Sequence, residues 1–337
     1  MLLKWLVVAL LLPSPSGFSF ELDSSGCLTS FDANSDYYAP EVRAMTSSQS
    51  TSPATVQFAN DFSIQYFHTY KVLRNLRNGE VYILHQCGAH NLYHDLPADA
   101  VNASIYQVPV TKWSTGSTIP IAFLRELGLG PLAVLVDDSY MTDDCMQKLV
   151  GCGAVGAQTP DDPTWANNAV AAGSTVHFTD DWGTGATSTA IDVKFDASSD
   201  PGPLHRAEWV KFVGAFFNLE AHANRVFAEI QSQYVATTAL AAAAVDGGAD
   251  APRTIWVSFS AGYTWDGTAY PASWKLSMAE YKTDLVAAAG GTNIVASQVD
   301  PGCSASAYGP DYSCTVAGMK VRSRANAGPS SSQRACP

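Results

Sequence analysis

The sequence is poor in charge, and poorest in positive charge. Charged residues make up 15% of its 337 residues, against about 25% in an average soluble protein. Lys and Arg number 19 and Asp and Glu 31, so the formal net charge is -12. Proteins bind a nucleic-acid backbone through basic side chains that displace its counterions. This sequence has no basic run of that kind, which excludes nucleic acid as a partner.

Long apolar runs are also scarce, and the one that stands out lies at the N-terminus. Lys4 precedes an apolar core from Trp5 to Leu12, and small and helix-breaking residues follow it. This is the pattern of a secretory signal peptide, and the core is too short to cross about 30 Å of hydrocarbon as a helix. We predict a signal peptide at 1–19, an irregular leader at 20–53, a secreted or lumenal location and no membrane span in the mature chain. An uncleaved signal anchor is the alternative.

The cysteines fit an oxidising compartment. Seven are present, and none forms a Cys-x-x-Cys pair, which disfavours a zinc or redox site. Cys145 with Cys152, and Cys303 with Cys314, are close enough in sequence to close small loops. Asn102 begins an Asn-Ala-Ser acceptor for glycosylation in a eukaryotic secreted protein.

Motifs for catalysis are missing as well. The sequence has no Gly-x-Ser-x-Gly elbow, no His-Glu-x-x-His and no Gly-x-x-x-x-Gly-Lys loop. His85, His90 and His94 lie close together, so they are candidate metal ligands. We interpret them as part of a polar surface loop because Gly88 interrupts the helical spacing. We therefore predict no catalytic residue, no metal ligand and no cofactor.

Hydrophobic periodicity predicts an α/β fold. Alternating residues predict strands at 55–58, 62–66 and 70–73, and further strands are predicted at 81–84, where the run is short and buried, and at 105–110. A Ser/Thr-rich loop then leads into a helix from Ile119 to Gly128, and an apolar strand follows at 132–136. Strand, loop, helix and strand in this order build a parallel sheet. We predict an N-terminal α/β lobe at 54–202.

A related unit is predicted near the C-terminus. There a strand at 254–259 and an aromatic-rich loop at 260–273 precede a helix at 274–289 and a Gly-Gly stop. Between the two units, apolar residues recur every three or four positions from Pro203 to Tyr234, which is typical of an amphipathic helix.

We therefore predict two Rossmann-like α/β lobes joined by one long helix at 203–238. The second lobe, at 252–315, is partial. The segment 316–337 has no apolar periodicity, so we predict a disordered tail there. A second lobe cut short by a frame error is the alternative interpretation of the same segment.

Several segments resemble the cluster A (class III, long-helix) periplasmic substrate-binding proteins. They are Phe62-Ser-Ile-Gln-Tyr, Tyr70-Lys-Val-Leu, Val108-Pro-Val, Phe123-Leu-Arg-Glu-Leu-Gly-Leu, Glu208-Trp-Val-Lys-Phe, Phe216-Phe217-Asn218 and Ala223-Asn224. The resemblance covers about residues 55–296. It implies two lobes that hold a ferric siderophore, haem or corrinoid in the cleft between them. It also implies an ABC importer as partner, with Glu126 as an importer-facing acid. The leader and the glycosylation acceptor fit a eukaryotic, algal or plant-like secreted relative, for which no importer partner is evident.

Candidate binding residues follow from the fold, because ligands of open α/β sheets bind beyond the carboxyl ends of the strands. In the first lobe the candidates offer hydroxyl and N–H groups at a helix start, which suit an anionic group: Trp113, Ser114, Thr115, Ser117 and Thr118. Ordinary helix capping is the alternative for these. Tyr140 and Trp182 are further candidates. In the second lobe Tyr263, Trp265 and Trp274 suit a large flat ligand, with loop packing as the alternative.

These patterns predict a secreted ligand-binding module and not an enzyme. Its ligand is expected to be a small molecule such as an iron–siderophore, haem or corrinoid, held in a cleft between two lobes. A secreted hydrolase or metal-dependent enzyme on the same two-lobed scaffold is the alternative. A third possibility is structural: a truncated second lobe would leave no functional cleft.

Overall fold

The computed structural model describes residues 22–31, 56–67, 69–90, 96–159, 164–180, 191–248, 250–265, 267–295, 298, 303–306 and 311–315. The chain divides into two compact units. Unit 1 comprises Met1–Asp200 and Leu204–Gln231, and unit 2 comprises Pro201–Pro203 and Ser232–Pro337. The predicted signal peptide and the predicted tail lie outside the described residues, and so does most of the predicted leader.

Unit 1 begins with a four-stranded sheet. Its strands are β1 (Phe62–Tyr66), β2 (Tyr70–Asn75), β3 (Val81–Gln86) and β4 (Ser104–Val108). The first three pair antiparallel and β4 pairs parallel with β3, after a 3-10 turn at Ala98–Ala100. The strands predicted at 62–66, 70–73, 81–84 and 105–110 are therefore confirmed, with shifts of a few residues at their ends, whereas the described residues 56–58 form no strand. Gly79 makes the turn between β2 and β3 with φ of 78°, a conformation that favours glycine.

The second sheet of unit 1 is parallel throughout. Its strands are β5 (Trp113–Thr115), β6 (Ala133–Asp137), β7 (Gly156–Gln158), β8 (Val176–Thr179) and β9 (Asp192–Lys194). The helices between them are α1 (Ile119–Glu126), α2 (Asp144–Gly151) and α3 (Trp165–Ala171), with a 3-10 turn at Gly130–Leu132 before β6. The predicted strand–loop–helix–strand unit is therefore confirmed, and the fold is mixed α/β.

The strand order of this sheet, β7-β6-β5-β8-β9, reverses direction at its centre. The chain runs outward from β5 to β6 and β7 and then returns to place β8 on the other side of β5. In open α/β sheets such a reversal opens a crevice at the carboxyl ends of the two central strands. Residues that follow β5 and β8 therefore meet at one edge.

The helix predicted at 203–238 differs in the structure, where three helices replace it. They are α4 (Pro203–Ala207), α5 (Trp209–Phe216) and α6 (Glu220–Asp246). Asn218 breaks the run with φ of 54°. The buried Lys71 of β2 holds this break: its Nζ donates to the Ala215 carbonyl at 2.6 Å and to Asn218 Oδ1 at 2.8 Å, and it also pairs with Glu220. A tertiary contact from a distant strand thus interrupts a helical pattern.

Helix α6 also continues beyond the predicted end at 238. Its last turns are rich in alanine, the strongest helix former, and it ends where Gly248 adopts φ of 95°. The first part of α6 belongs to unit 1 and the part from Ser232 belongs to unit 2.

The core of unit 1 forms around α5. Trp209, Phe212 and Phe216 are fully buried, and their rings contact those of β1 and β3: Phe62 lies 5.0 Å from Trp209, and Tyr82 lies 6.3 Å from Phe212, centroid to centroid. The apolar stripe of the helix predicted to connect the two lobes is therefore packed, over α5, inside unit 1.

A buried carboxylate fixes the segment before β1. Glu208 accepts hydrogen bonds from the backbone N–H groups of Gln57, Phe58 and Ala59 at 2.6–3.0 Å. Lys211 Nζ donates to the same carboxylate at 2.6 Å. Three donors and a cation therefore satisfy the buried charge.

Unit 2 is built mainly from antiparallel strands. Its four-stranded sheet has the order β11-β14-β17-β16, from Val257–Ser260, Ser273–Ser277, Asp311–Thr315 and Cys303–Ala305. A hairpin joins β12 (Tyr263–Trp265) to β13 (Thr268–Tyr270). Separately, β10 (Arg253–Thr254) pairs parallel with β15 (Thr292–Asn293), and α7 (Glu280–Ala288) precedes β15.

Several predictions for this region are corrected. The helix begins at Glu280 and not at Trp274, because Trp274 and Leu276 alternate in the central strand β14 and pair with β11 and β17. The strand predicted at 254–259 is two short strands, and the predicted loop contains a hairpin. The Gly290-Gly291 stop of this helix is confirmed, since α7 ends at Ala288 and β15 follows at Thr292–Asn293.

Two disulfides are present among the described residues. Cys303 is bonded to Cys314, as their sequence spacing allowed, and Cys27 is bonded to Cys87. Cys145 and Cys152 are exposed free thiols, so the second short loop considered from the sequence is not closed.

Candidate functional site

The candidate site lies at the carboxyl edge of the parallel sheet in unit 1. There Thr115 ends β5, Asp137 ends β6 and Gln158 ends β7, while His177 is the second residue of β8. These four side chains line one cavity with Gly116, Leu135, Val136, Thr159 and Trp165. The strand-order reversal therefore coincides with a group of polar side chains.

The loop after β5 satisfies its own polar groups. The Gly116 N–H donates to the Phe178 carbonyl at 2.9 Å, and the Ser117 N–H donates to Thr115 Oγ1 at 3.0 Å. The Thr115 hydroxyl donates to the Ser117 carbonyl. The Ile119 N–H lies 3.4 Å from Ser117 Oγ. Much of the polar capacity expected to receive an anionic group is thus used to shape the turn into α1.

A chain of hydrogen bonds behind the cavity fixes the tautomer of His177. The Ser174 hydroxyl has one proton, which it donates to the Val176 carbonyl at 2.6 Å. The Ser114 hydroxyl must therefore donate its own proton to Ser174 Oγ at 2.9 Å. Ser114 Oγ also lies 2.7 Å from His177 Nδ1, and with its proton already committed it accepts there. Nδ1 of His177 carries the proton.

The imidazole of His177 is neutral at physiological pH. Burial, and to a smaller extent the positive charge of Lys194, lowers the pKa of His177 from 6.5 to about 3. A neutral ring with its proton on Nδ1 presents a bare lone pair at Nε2. His177 Nε2 is buried and has no hydrogen-bond partner among the described residues.

The surroundings of Nε2 are tight. The Trp165 ring packs on the imidazole with centroids 4.0 Å apart. A methyl group added at Gly116 would lie 3.0 Å from Nε2 and 2.9 Å from the Trp165 ring. Gly116 therefore leaves open the approach to Nε2 that any larger residue would cover. The cavity has a volume of about 10 Å³, which is room for one water molecule or one ligand atom.

Two of the sequence candidates of the first lobe belong to the cavity or its support, and the others lie elsewhere. Thr115 lines the cavity, and Ser114 lies behind it as the partner of His177. Trp113 is buried in the core, where its indole N–H donates to the Leu129 carbonyl at 2.8 Å, so packing accounts for it. Tyr140 is 84% exposed and does not line the cavity. Ser117 and Thr118 belong to the turn before α1.

Sequence reasoning missed the residues that define this cavity. No motif in the sequence singles out His177, Gln158, Trp165 or Gly116. A histidine between the apolar residues Val176 and Phe178 of one strand was the available signal, because a buried polar group needs partners.

The structure describes the remaining sequence candidates in less detail. Trp182 lies outside the described residues, and for Tyr263 and Trp265 only the backbone of β12 is described. Trp274 of β14 is half-buried and its ring lies 5.0 Å from that of Phe259. Asn102 is exposed between the 3-10 turn and β4, so its predicted glycosylation stays a prediction.

Metal ligands do not converge in the part of the chain that is described. Within it, no group of three or more His, Cys, Asp or Glu side chains is placed to hold a metal ion. Of the histidines considered as ligands, His85 lies 3.0 Å from the Ala89 carbonyl through Nε2, and His94 is outside the described residues. No helix within the described ranges has the length and apolar character needed to cross a membrane.

Comparisons with known proteins give structural likeness only. No protein-family model matches the sequence, and no curated protein matches it. Among solved structures, the chain is similar to a possible iron-binding (periplasmic solute-binding) protein from Staphylococcus epidermidis, with 10% identity, a TM-score of 0.39, and coverage of 55% of this chain and 67% of that one. It is also similar to the FhuD protein from S. pseudintermedius, at 11% identity, TM-score 0.38, and 56% and 61% coverage.

A third similar structure is the periplasmic heme-binding protein RhuT from Roseiflexus sp. RS-1, with 14% identity, a TM-score of 0.35, and coverage of 54% of this chain and 65% of that chain. The chain thus spans about two thirds or less of the length of these proteins. Identities of 10–14% with TM-scores below 0.5 do not establish what this chain binds.

Proposed function

We propose that this protein is a secreted binding protein for a small molecule, which docks at the carboxyl edge of the parallel sheet in unit 1. The observation that carries the proposal is the bare, buried Nε2 of His177 at the strand-order reversal. Leaving a buried polar atom without a partner costs about 1–3 kcal/mol. Such a cost is readily understood where a ligand or a bound water supplies the missing hydrogen bond.

The properties of His177 favour binding over catalysis. A general base works best with a pKa near the operating pH, whereas the pKa of His177 is lowered to about 3. Ser114 lies within reach of His177, but it donates its proton to Ser174 and is fully buried, so it does not fit the role of an activated nucleophile. We therefore place the protein among binding modules and not among hydrolases.

The finer ligand assignment rests on the sequence resemblance. It implies an iron–siderophore, haem or corrinoid in a cleft between two lobes, with the aromatic residues Tyr263, Trp265 and Trp274 covering its apolar part. The exposed Glu126 at the end of α1 lies where the binding proteins of that family carry an importer-facing acid.

Thermal unfolding with a ligand panel tests this function. Ferric catecholate and hydroxamate siderophores, hemin and cyanocobalamin would each be added to the purified protein, and the melting temperature recorded. A true ligand at about 100 times its Kd stabilises the folded state by about 2.7 kcal/mol, which raises the melting temperature by several degrees.

A matched glycine pair supplies the control. Gly116→Ala covers Nε2, whereas an alanine methyl at Gly130 would contact nothing within 4 Å, so only Gly116→Ala should weaken the response. If no panel member stabilises the protein, and an ester or peptide substrate is instead hydrolysed in a reaction abolished by Ser114→Ala, the binding function is wrong and the enzyme alternative takes its place.

A further inference from the structure

We propose that His177 and Gln158 form a subsite for a neutral ligand group that donates one hydrogen bond and accepts another, such as a primary carboxamide or a hydroxyl. The inference rests on the proposed binding function and names the chemistry of one group on the ligand. Both residues line the same cavity. The Nε2 atom of His177 is an acceptor and the Nε2 atom of Gln158 is a donor, and both atoms are buried without a hydrogen-bond partner among the described residues.

The acceptor half of the pair is His177. The chain from Val176 through Ser174 and Ser114 places the ring proton on Nδ1, so Nε2 has only a lone pair to offer. A ligand atom at this position must therefore bring a proton of its own. A carboxylate brings none, and its lone pairs would oppose that of Nε2.

The donor half is Gln158. Its Oε1 accepts from Asn168 Nδ2 at 3.2 Å, and Asn168 is held in turn by Thr164 Oγ1 at 3.1 Å. With this orientation of the two amides, the oxygen of Gln158 is engaged and its Nε2 is left to donate. Gln158 is half-buried at the end of β7, next to the exposed Thr159, so the subsite lies close to the surface.

Size and charge restrict the group further. A cavity of about 10 Å³ admits one ligand oxygen or nitrogen and little more. Asp137 also lines the cavity and is 5% exposed. Its side-chain oxygens are further hydrogen-bond acceptors in the cavity wall. A carboxylate or phosphate would meet two acceptor groups there. A hydroxyl donates to His177 and accepts from Gln158 through one oxygen, and a carboxamide that enters nitrogen first donates to His177 and leaves its C=O outside the cavity, on the side of Gln158 and the exposed Thr159.

The test uses acetamide and acetate, which have the same shape and differ in the ability to donate. The full chain, labelled with ¹⁵N-histidine, would be titrated with each compound, and the Nε2 resonance of His177 identified by its loss in His177→Phe. Acetamide should shift that resonance in a saturable manner, and acetate should leave it unchanged. Gly116→Ala should abolish the shift, and Gly130→Ala should keep it.

Gln158→Glu is the second variant. It retains an oxygen for Asn168 but replaces the donor by another acceptor, and at a half-buried position it should not disturb folding. We expect acetamide affinity to fall at least tenfold. Circular dichroism would verify that both Gly116→Ala and Gln158→Glu are folded.

Three results would overturn the subsite: no response to acetamide, an equal response to acetate, or a response that Gly116→Ala leaves intact. These results are separable from failure of the proposed function. If a ligand of the panel stabilises wild type and Gly116→Ala equally, the protein is a binding protein and the subsite is wrong. If no panel member binds but acetamide shifts the resonance as expected, the subsite stands and the proposed ligand class is wrong.

Discussion

The two units are stabilised in different ways. In unit 1 a continuous apolar core joins β-strands of both sheets to α5, and the largest fully buried side chains of the described residues all lie there. In unit 2 the buried cluster consists of Leu276, Ile294 and Cys314, with partly buried neighbours around it. Apolar side chains that are at least one-third exposed include Trp256, Val257 and Phe259.

This difference separates two requirements for a binding site. A site needs side chains held in place by packing, and unit 1 supplies this because Trp165 and the strands on either side fix His177. Small domains with little buried apolar surface depend on cross-links, and unit 2 has one in Cys303–Cys314. A precise hydrogen-bonding site is therefore expected in unit 1, and adaptable apolar contacts in unit 2.

The largest expected difference in unfolding free energy between the two units comes from a pair of truncations to alanine. Phe212→Ala in α5 removes a fully buried ring and should lower the free energy of unfolding by about 3–5 kcal/mol. Leu240→Ala in the unit 2 part of α6, where the side chain is 74% exposed, should change it by less than about 0.5 kcal/mol. Urea denaturation followed by tryptophan fluorescence measures both.

An equal loss of unfolding free energy in the two variants would contradict the difference in packing between the two units. It would mean that Leu240 is buried in the folded protein in solution and that unit 2 gains stability from covering its exposed apolar side chains. A small loss for Phe212→Ala would instead contradict the core assigned to unit 1.

The two disulfides allow the units to be compared by how much each cross-link lowers the entropy of the unfolded chain. Cys27–Cys87 closes a loop of 60 residues and Cys303–Cys314 one of 11. Loop entropy alone predicts a loss of about 4 kcal/mol on removing the first and about 3 kcal/mol on removing the second. Double Cys→Ala variants, compared by urea denaturation with the exposed free Cys152→Ala as control, give both values.

The reverse order would be informative. If removing Cys303–Cys314 costs more than removing Cys27–Cys87, unit 2 depends on its cross-link for folding and not merely for reducing the entropy of the unfolded state. Unit 1 would then be the only one of the two whose packing is sufficient alone.

Local sequence pattern predicted the fold of unit 1 well. The strands at 62–66 and 70–75 and the α1 unit were predictable because alternation, Pro120 and Gly128 are local signals. The break at Asn218 was not, because it depends on Lys71, which lies far away in sequence. The strand at Ser273–Ser277 was missed for the same reason: pairing with β11 and β17 overrides the local tendency.

In the candidate site too, local sequence signals predicted some features, and contacts between distant residues determined the others. The sequence candidates and the cavity lie at the same sheet edge, since Thr115 lines the cavity and Ser114 contacts His177 behind it. It could not identify His177 or Gln158, because their role depends on which hydrogen bonds are left unmade once Ser174 and Asn168 have been satisfied. Unmade bonds are a property of packing, which periodicity does not encode.

The smallest predicted effect is the pH dependence of unit 1, and it follows from His177. Its pKa is about 3 in the folded protein and about 6.5 when unfolded, so between these values the unfolded chain binds more protons. This contribution to stability is complete above pH 6.5 and declines as the pH falls toward 3. The slope cannot exceed about 1.4 kcal/mol per pH unit. Between pH 6 and 4, wild type should therefore lose stability more steeply than His177→Phe, which keeps the ring contact with Trp165 but cannot take up a proton. Parallel curves for the two proteins would mean that the imidazole is accessible to water, and the candidate site would then not share the close packing of the unit 1 core.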